Sequence, residues 1–271
     1  MTIITGHQPV YLPWLGLFHK ISLADTFVFM DDVQYLEQDW NNRNRIKGPH
    51  GPFWLTVPVR LNASPSRRLA DILIDAGGWP SARHWQRLHW RSLESCYRAA
   101  PYWRDHAAFL ESCYLAKPWT RLAELNEHQL RYFIGALGLD VEIVRATDRG
   151  FVGHKSELVL DHCRKLHADV CVMGAHGREY AREADFQREG VRLYYQDYRH
   201  PEYPQRFGPF VSHLSIVDLL CQCGPKSREL LESGNITKAE LLAAASQQPT
   251  PGVVTLGILS EQSHGALVDG A

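Results

Sequence analysis

Between residues 6 and 47 the chain gathers side chains whose types and spacing suit chemistry. His7 follows Gly6 and precedes Gln8-Pro9. An imidazole in such a loop can act as acid, base or hydrogen-bond donor. Tyr11, Trp14 and Lys20 follow within two turns of chain. Asp31 and Asp32 come next and can orient a base, a ribose or an amine. They lead into Gln34 and Tyr35. The sharpest pattern is Asn42-Arg43-Asn44-Arg45-Ile46-Lys47. In extended chain, Arg43, Arg45 and Lys47 share one face at steps of roughly 7 Å. That is a grip for phosphate or carboxylate, with Arg able to bind in bidentate fashion. Asn42 and Asn44 would present amides on the other face. Each feature has a plainer alternative: a histidine bonded to backbone, a turn-forming Asp, or charges that blunt an edge strand.

A second set lies further on. Gly153-His154-Lys155-Ser156 is a loop that opens a helix, where anions are favoured. Gly174-Ala175-His176-Gly177-Arg178-Glu179-Tyr180 follows a strand and reads as a site loop. Tyr195-Gln196 and the aromatics after it form a rim suited to stacking, although aromatics at strand ends often only pack. These residues are expected to complete the pocket from the second half.

The elements that must hold them are legible as periodicities. Thr2–Thr5 and Thr26–Met30 read as strands, with a helix at Trp14–Leu23 between them. The order strand, helix, strand implies a parallel sheet with ligands outside its carboxyl ends. Phe53–Val59 reads as a strand with an edge-type Pro58, and Leu69–Ile74 as another. Residues 80–138 read as inserted helices divided at Pro101 and Pro118. Strands are expected at 141–146, 169–173 and 191–195, and helices at 156–166, capped by Ser156, and from Ser215. The expected fold is α/β, a Rossmann-like parallel or mixed sheet flanked by helices with a central helical insertion. It occupies one domain over residues 1–237, and residues 238–271 form a poorly ordered tail.

Bulk properties narrow the function. Hydrophobic residues are 45% and charged residues 22% of 271, an ordinary globular balance. The formal net charge of −1 argues against general nucleic-acid binding. No run of about 18 apolar residues is present, and no signal peptide is read at the start. The six cysteines are scattered and form no Cys-x-x-Cys pair, which fits free thiols in a cytoplasmic setting. The histidines show no zinc-site spacing, so no metal is expected. No Walker loop, Gly-x-Ser-x-Gly elbow or dinucleotide fingerprint appears, and no cofactor is assigned.

His7-Gln8-Pro9, Leu12-Pro13-Trp14-Leu15-Gly16, Lys20, Asp31-Asp32-Val33-Gln34-Tyr35 and Asn42–Lys47 together resemble the WbqC-like protein family. The likeness extends through Trp54–Val59, Lys155–Leu158, Tyr195-Gln196 and Leu214–Leu220, over roughly residues 2–230. It implies a bacterial biosynthetic protein of surface-polysaccharide or O-antigen metabolism, acting on a small, phosphate-bearing sugar or acyl substrate. The leading expectation is an acyl or aminoacyl transferase, with His7 as acid/base, Asp31 or Asp32 orienting it or the acceptor, and the basic run holding a sugar nucleotide. One alternative is a nucleotidylyltransferase-like enzyme or ATP-dependent ligase, although Leu15 and Leu17 stand where such folds place histidines. Another is a non-catalytic or RNA-binding module using Trp40–Lys47.

Overall fold

A computed structural model describes residues 1–247 and 251–254. In chain order the elements are β1 (Ile3–His7), α1 (Leu15–Ser22), β2 (Thr26–Phe29), β3 (Arg43–Gly48), β4 (Gly51–Thr56), α2 (Trp85–Tyr97), α3 (Trp103–Leu115), α4 (Leu122–Ala136), β5 (Glu142–Arg145), α5 (Ser156–Lys165), β6 (Val170–Met173), α6 (Glu183–Arg188), β7 (Arg192–Tyr195), α7 (Ile216–Cys223), α8 (Ser227–Glu232) and α9 (Lys238–Gln247).

Five strands form one parallel sheet in the order β5-β2-β1-β6-β7. The chain builds outward from β1 through β2 to β5, then returns to lay β6 on the other side of β1. The winding therefore reverses between β1 and β6, where open parallel sheets leave a crevice at their carboxyl ends. His7 ends β1 at that crevice. The pairing Thr5↔Val172, continued by two residues, sets His7 beside Gly174. On the other flank His7 pairs with Phe29, and Phe29 with Arg145.

The strands are apolar on both faces because helices cover both. Ile4, Cys171, Met173 and Leu193 pack with Leu160 and Cys163 of α5 and Phe186 of α6. Ile3, Val170, Val172 and Tyr194 pack with Leu23, Leu241 and Ala245. Between β2 and β5 the chain inserts the β3–β4 hairpin and the helices α2–α4. Their apolar faces join Leu15, Phe18 and Ile21 of α1 in the largest core cluster.

Two expectations change. Residues 69–74 are not a strand. They hold a short 3-10 turn at Leu69–Asp71 and single bridges from Ile74 to Val59 and Leu73 to Arg121. The packed fold also does not stop at residue 237. In α9, Leu241 and Ala245 are fully buried, and Val253 pairs in parallel with Leu193 of β7. The helix has little contrast between its faces and buries only Leu241 and Ala245, so periodicity does not announce it. The remainder of the expected tail, residues 255–271, lies outside the described residues.

Candidate functional site

The site begins at the junction of β1 and α1. α1 is buried on nearly every side, so its polar residues need partners. Lys20 Nζ donates to the Gly6 carbonyl at 2.9 Å, directly behind His7. Burial pushes its ammonium down to about 8. His19 Nε2 donates to the Ile236 carbonyl at 2.9 Å, which leaves its Nδ1 to accept from Gln196 Nε2 at 2.8 Å. Gln196 also donates to the Gly16 carbonyl, tying the end of β7 to the start of α1.

His7 is half-buried. Its Nδ1 lies 2.8 Å from the Gln8 carbonyl, which can only accept, so Nδ1 carries the proton and Nε2 presents a lone pair. Burial, reinforced by nearby Lys20, drives the imidazole down to about 3 from its ordinary 6.5. The ring is therefore neutral at physiological pH and placed as a base.

From His7 a line of aromatic contacts runs outward. The Trp14 ring meets His7 edge-on at 5.4 Å, Trp40 lies 6.1 Å from Trp14, and Trp54 lies 5.3 Å from Trp40. Gly16 makes room for this. A Cβ there would stand 2.8 Å from Trp14 Nε1 and 2.9 Å from the Tyr198 ring. At the far end the Arg43 guanidinium covers Trp54 at 4.6 Å and Arg45 approaches the same ring at 5.7 Å. The hairpin dictates this, since Arg45 faces Trp54 across the strands and Arg43 is its same-face neighbour. Arg43 donates through Nη2 to the Gln38 carbonyl. The Nε atoms of both arginines are buried without a protein acceptor. Trp54 remains 45% exposed. Gln8 donates to Asp39 at 3.1 Å on the same flank.

The other members of the basic run are buried. Lys47 is 1% exposed, and its Nζ donates to Gln205 Oε1 at 3.1 Å and to the carbonyls of Gly208 and Pro209. It anchors the segment after β7 and is not part of an anion grip. Asn44, fully buried, donates to the Leu12 carbonyl and accepts from Arg45 N. Asn42 donates to the Val57 carbonyl at 2.8 Å. These amides staple loops together and are not available to a ligand. Buried backbone carbonyls in the 9–13 and 57 segments need donors, and asparagine supplies them.

Tyr11 is likewise interior. Its hydroxyl bonds to His89 Nδ1 at 2.8 Å and to the Tyr114 hydroxyl, in the core between α2 and α3. Asp31 is buried, with one oxygen accepting from Thr147 N at 3.0 Å and the other from Thr147 Oγ1 at 2.9 Å, so it braces β2 to β5. Asp32 differs, because its Oδ1 is buried without a partner and burial raises its pKa. Neither carboxylate touches His7 among the described residues. Gln34 is exposed and bridges to Arg68 through backbone.

The two loops of the second half meet each other at the end of β6. Ser156 does not cap its helix; its Oγ accepts from Arg182 N at 2.9 Å, while Arg182 pairs with Glu157 at 2.7 Å. His154 and Lys155 are exposed, and Lys155 has φ 51°. His176 pairs with Glu179 at 2.7 Å, and Tyr180 is exposed. Through Gly174 these loops lie one strand from His7. Among the described residues no hydrogen bond, ion pair or ring contact joins their side chains to His7, Trp14 or the two arginines.

Trp54 and Trp40 join the site although neither was singled out individually from sequence. Once the tight turn is placed at Gly48–Gly51, Arg45 must face Trp54, so the pairing was readable. The Trp14–Trp40 contact was not, because it depends on how the hairpin docks on α1. Among the described residues no group of three or more metal-ligating side chains occurs, and no helix is long and apolar enough to cross a membrane.

Comparison with known proteins gives the chain's family. A relative, the uncharacterized protein Rv1507c of Mycobacterium tuberculosis, is 34% identical over 225 residues, covering 83% of this chain and 95% of the relative. No solved structure matches. The match to a family model covers residues 8–230, which takes in the three tryptophans and the arginine pair and begins one residue after His7, and the chain belongs to the WbqC-like protein family.

Proposed function

We propose that the protein is a group-transfer enzyme, of acyl or aminoacyl type, acting on a small phosphate- or carboxylate-bearing substrate. The observation that carries this reading is the unbroken contact from His7 through three tryptophans to Arg43 and Arg45. A base and an anion clamp stand at the two ends of one aromatic wall. A guanidinium held over an indole is pre-aimed, with its outer nitrogens turned toward a ligand. The anion would bind Arg43 and Arg45, and the body of the substrate would lie along Trp40 and Trp14. His7 Nε2 would take the proton from the attacking hydroxyl or amine as the new bond forms, and the departing group would leave with its electron pair.

The chemistry is self-adjusting. An imidazole held near 3 is a weak base in the empty site. A bound anion stabilises the imidazolium and raises the pKa toward the range where proton transfer is efficient. Our reading sets the reaction in surface-polysaccharide metabolism, as the family resemblance implies, and nucleotide sugars and acyl donors are the first substrates to try.

The test is a calorimetric panel of nucleotide sugars, acyl phosphates and acyl thioesters, followed by mass spectrometry for products. His7→Ala is expected to keep its fold and ligand binding and to lose turnover. Arg43→Ala/Arg45→Ala is expected to lose binding by about 100-fold, since two charge-assisted contacts disappear. Turnover that survives His7→Ala would remove the base from the scheme.

A further inference from the structure

The outer face of α2 carries positive charge that the protein does not neutralise. The other sides of this helix are taken. Cys96 faces the hairpin, where a Cβ on Gly48 would stand 3.4 Å from its Sγ. Gln86 donates to the Tyr114 carbonyl of α3 at 2.9 Å, and Trp90 stacks on Trp103 at 5.7 Å. Arg87, Arg91 and Arg98 share the side that remains. At 3.6 residues per turn they fall within about 40° of one another around the helix axis. Arg98 N donates to the Glu94 carbonyl at 2.9 Å, so the helical path continues to it. Arg83 stands in the turn before α2 and Arg104 in the first turn of α3. Arg87 is half-buried and the other four are exposed.

Two observations set this face apart. Arginines elsewhere on the surface are matched with acids: Arg67 with Glu37, Arg131 with Glu127, Arg164 with Glu189, Arg182 with Glu157 and Arg228 with Glu232. Among the described residues no ion pair joins Arg83, Arg87, Arg91, Arg98 or Arg104 to a carboxylate, and Arg87 Nε donates instead to the Pro80 carbonyl at 2.7 Å. The helix dipole also disfavours cations at an amino end, yet Arg83 and Arg87 sit there and α2 has no acid in its first turn. This placement works against the folded state. Glu94, on the same face, and Asp105, next to Arg104, relieve it in part. Since the whole chain has a net charge of −1, the excess is a local patch. On its flank Leu88, three residues before Arg91, is 47% exposed.

An anionic lipid surface suits this face better than RNA does. Glu94 lies within the stripe, where a fixed row of phosphates would meet it, whereas lipid headgroups move laterally around it. Trp90 and Trp103 stack on each other and Trp103 is 7% exposed, so this pair is poorly placed to stack a base. Leu88 gains nothing from a phosphate backbone and fits the apolar boundary of a bilayer. We propose that the outer face of α2 adsorbs to membranes carrying anionic phospholipid, with the arginines among the headgroup phosphates and Leu88 at the acyl boundary. Adsorption is reversible and salt-sensitive, because it acts over about one Debye length. It does not depend on the transferase reading.

Flotation of the full-length protein with lipid vesicles tests this. Vesicles of phosphatidylcholine with about one third phosphatidylglycerol should carry the protein at about 0.1 M salt, and vesicles of phosphatidylcholine alone should not. Raising the salt to about 0.5 M should release it. Arg87→Ala/Arg91→Ala should lower the partition coefficient by about 10-fold or more without lowering thermal stability. Arg87→Lys/Arg91→Lys should keep most of it, since charge carries the adsorption. Leu88→Gln should lower it by about 3-fold. Arg43→Ala/Arg45→Ala should float like the unaltered protein, which separates this face from the clamp. No flotation with anionic vesicles, equal flotation with neutral ones, or indifference to Arg87→Ala/Arg91→Ala would each overturn the proposal. So would mixed RNA that displaces the vesicles and is itself released by the same double variant, since the face would then be a nucleic-acid surface.

Discussion

Arg43 and Arg45 and their neighbours Asn42, Asn44 and Lys47 belong to one six-residue run, yet they live in two different worlds. The asparagines and Lys47 are buried and bonded to backbone carbonyls and Gln205. The arginines lie on the outward side against a half-exposed tryptophan, each with a buried Nε lacking an acceptor. A polar group already satisfied by the protein holds structure together, whereas one left unsatisfied is available to a ligand. Charge did not separate the two, since Lys47 is cationic like the arginines. Position against the core did.

That division can be attacked from both sides. The broadest expected effect is acid sensitivity, which weakens both worlds at once. Burial pushes His7 and His89 down to about 3, while in the unfolded chain they titrate near 6.5. Between those values the unfolded state binds more protons, so stability should fall steadily as pH drops from about 6.5 toward 3. Denaturant midpoints measured across that window should show the slope, and replacing His89 with Gln should flatten it.

Lys47→Met comes next. It removes the bonds of Lys47 Nζ to the Gly208 and Pro209 carbonyls and to Gln205 Oε1, which keeps Val211 N, and should cost about 2 kcal/mol in chemical denaturation. Asn44→Ala, which leaves the Leu12 carbonyl and Arg45 N unpaired, should cost about 2 kcal/mol. Gly16→Ala should cost about 1 kcal/mol by displacing the Trp14 ring, with a change in near-ultraviolet circular dichroism. Arg43→Ala and Arg45→Ala should be the mildest in stability, each within about 1 kcal/mol, the scale of an exposed cation–π contact. An Arg43→Ala variant as unstable as Lys47→Met would erase the distinction between the two groups.

Much of the fold was legible because its signals are local. The continuous β-formers of Thr26–Phe29 and Val170–Met173 announce strands buried on both faces, and Pro101 and Pro118 mark breaks between inserted helices. The site was legible only in part. His7 at a strand end follows from chain order. That Tyr11, four residues on, turns into the core cannot be read, because its partners His89 and Tyr114 come from helices 78 and 103 residues away. The same holds for Lys47, whose acceptors lie about 160 residues further along. Alternation identified the face that Arg43, Arg45 and Lys47 share. It could not show that a later segment covers one end of that face and leaves the other open.

The central claim is that His7 and the arginine pair form one site. It is tested most directly by following the His7 imidazole by NMR while inorganic pyrophosphate or a nucleoside-diphosphate sugar is titrated in. The His7 signal should move on binding and its pKa should rise from about 3, and both changes should vanish in Arg43→Ala/Arg45→Ala. A His7 signal that stays still while ligand binds, or one that moves equally in the double variant, would contradict a shared site.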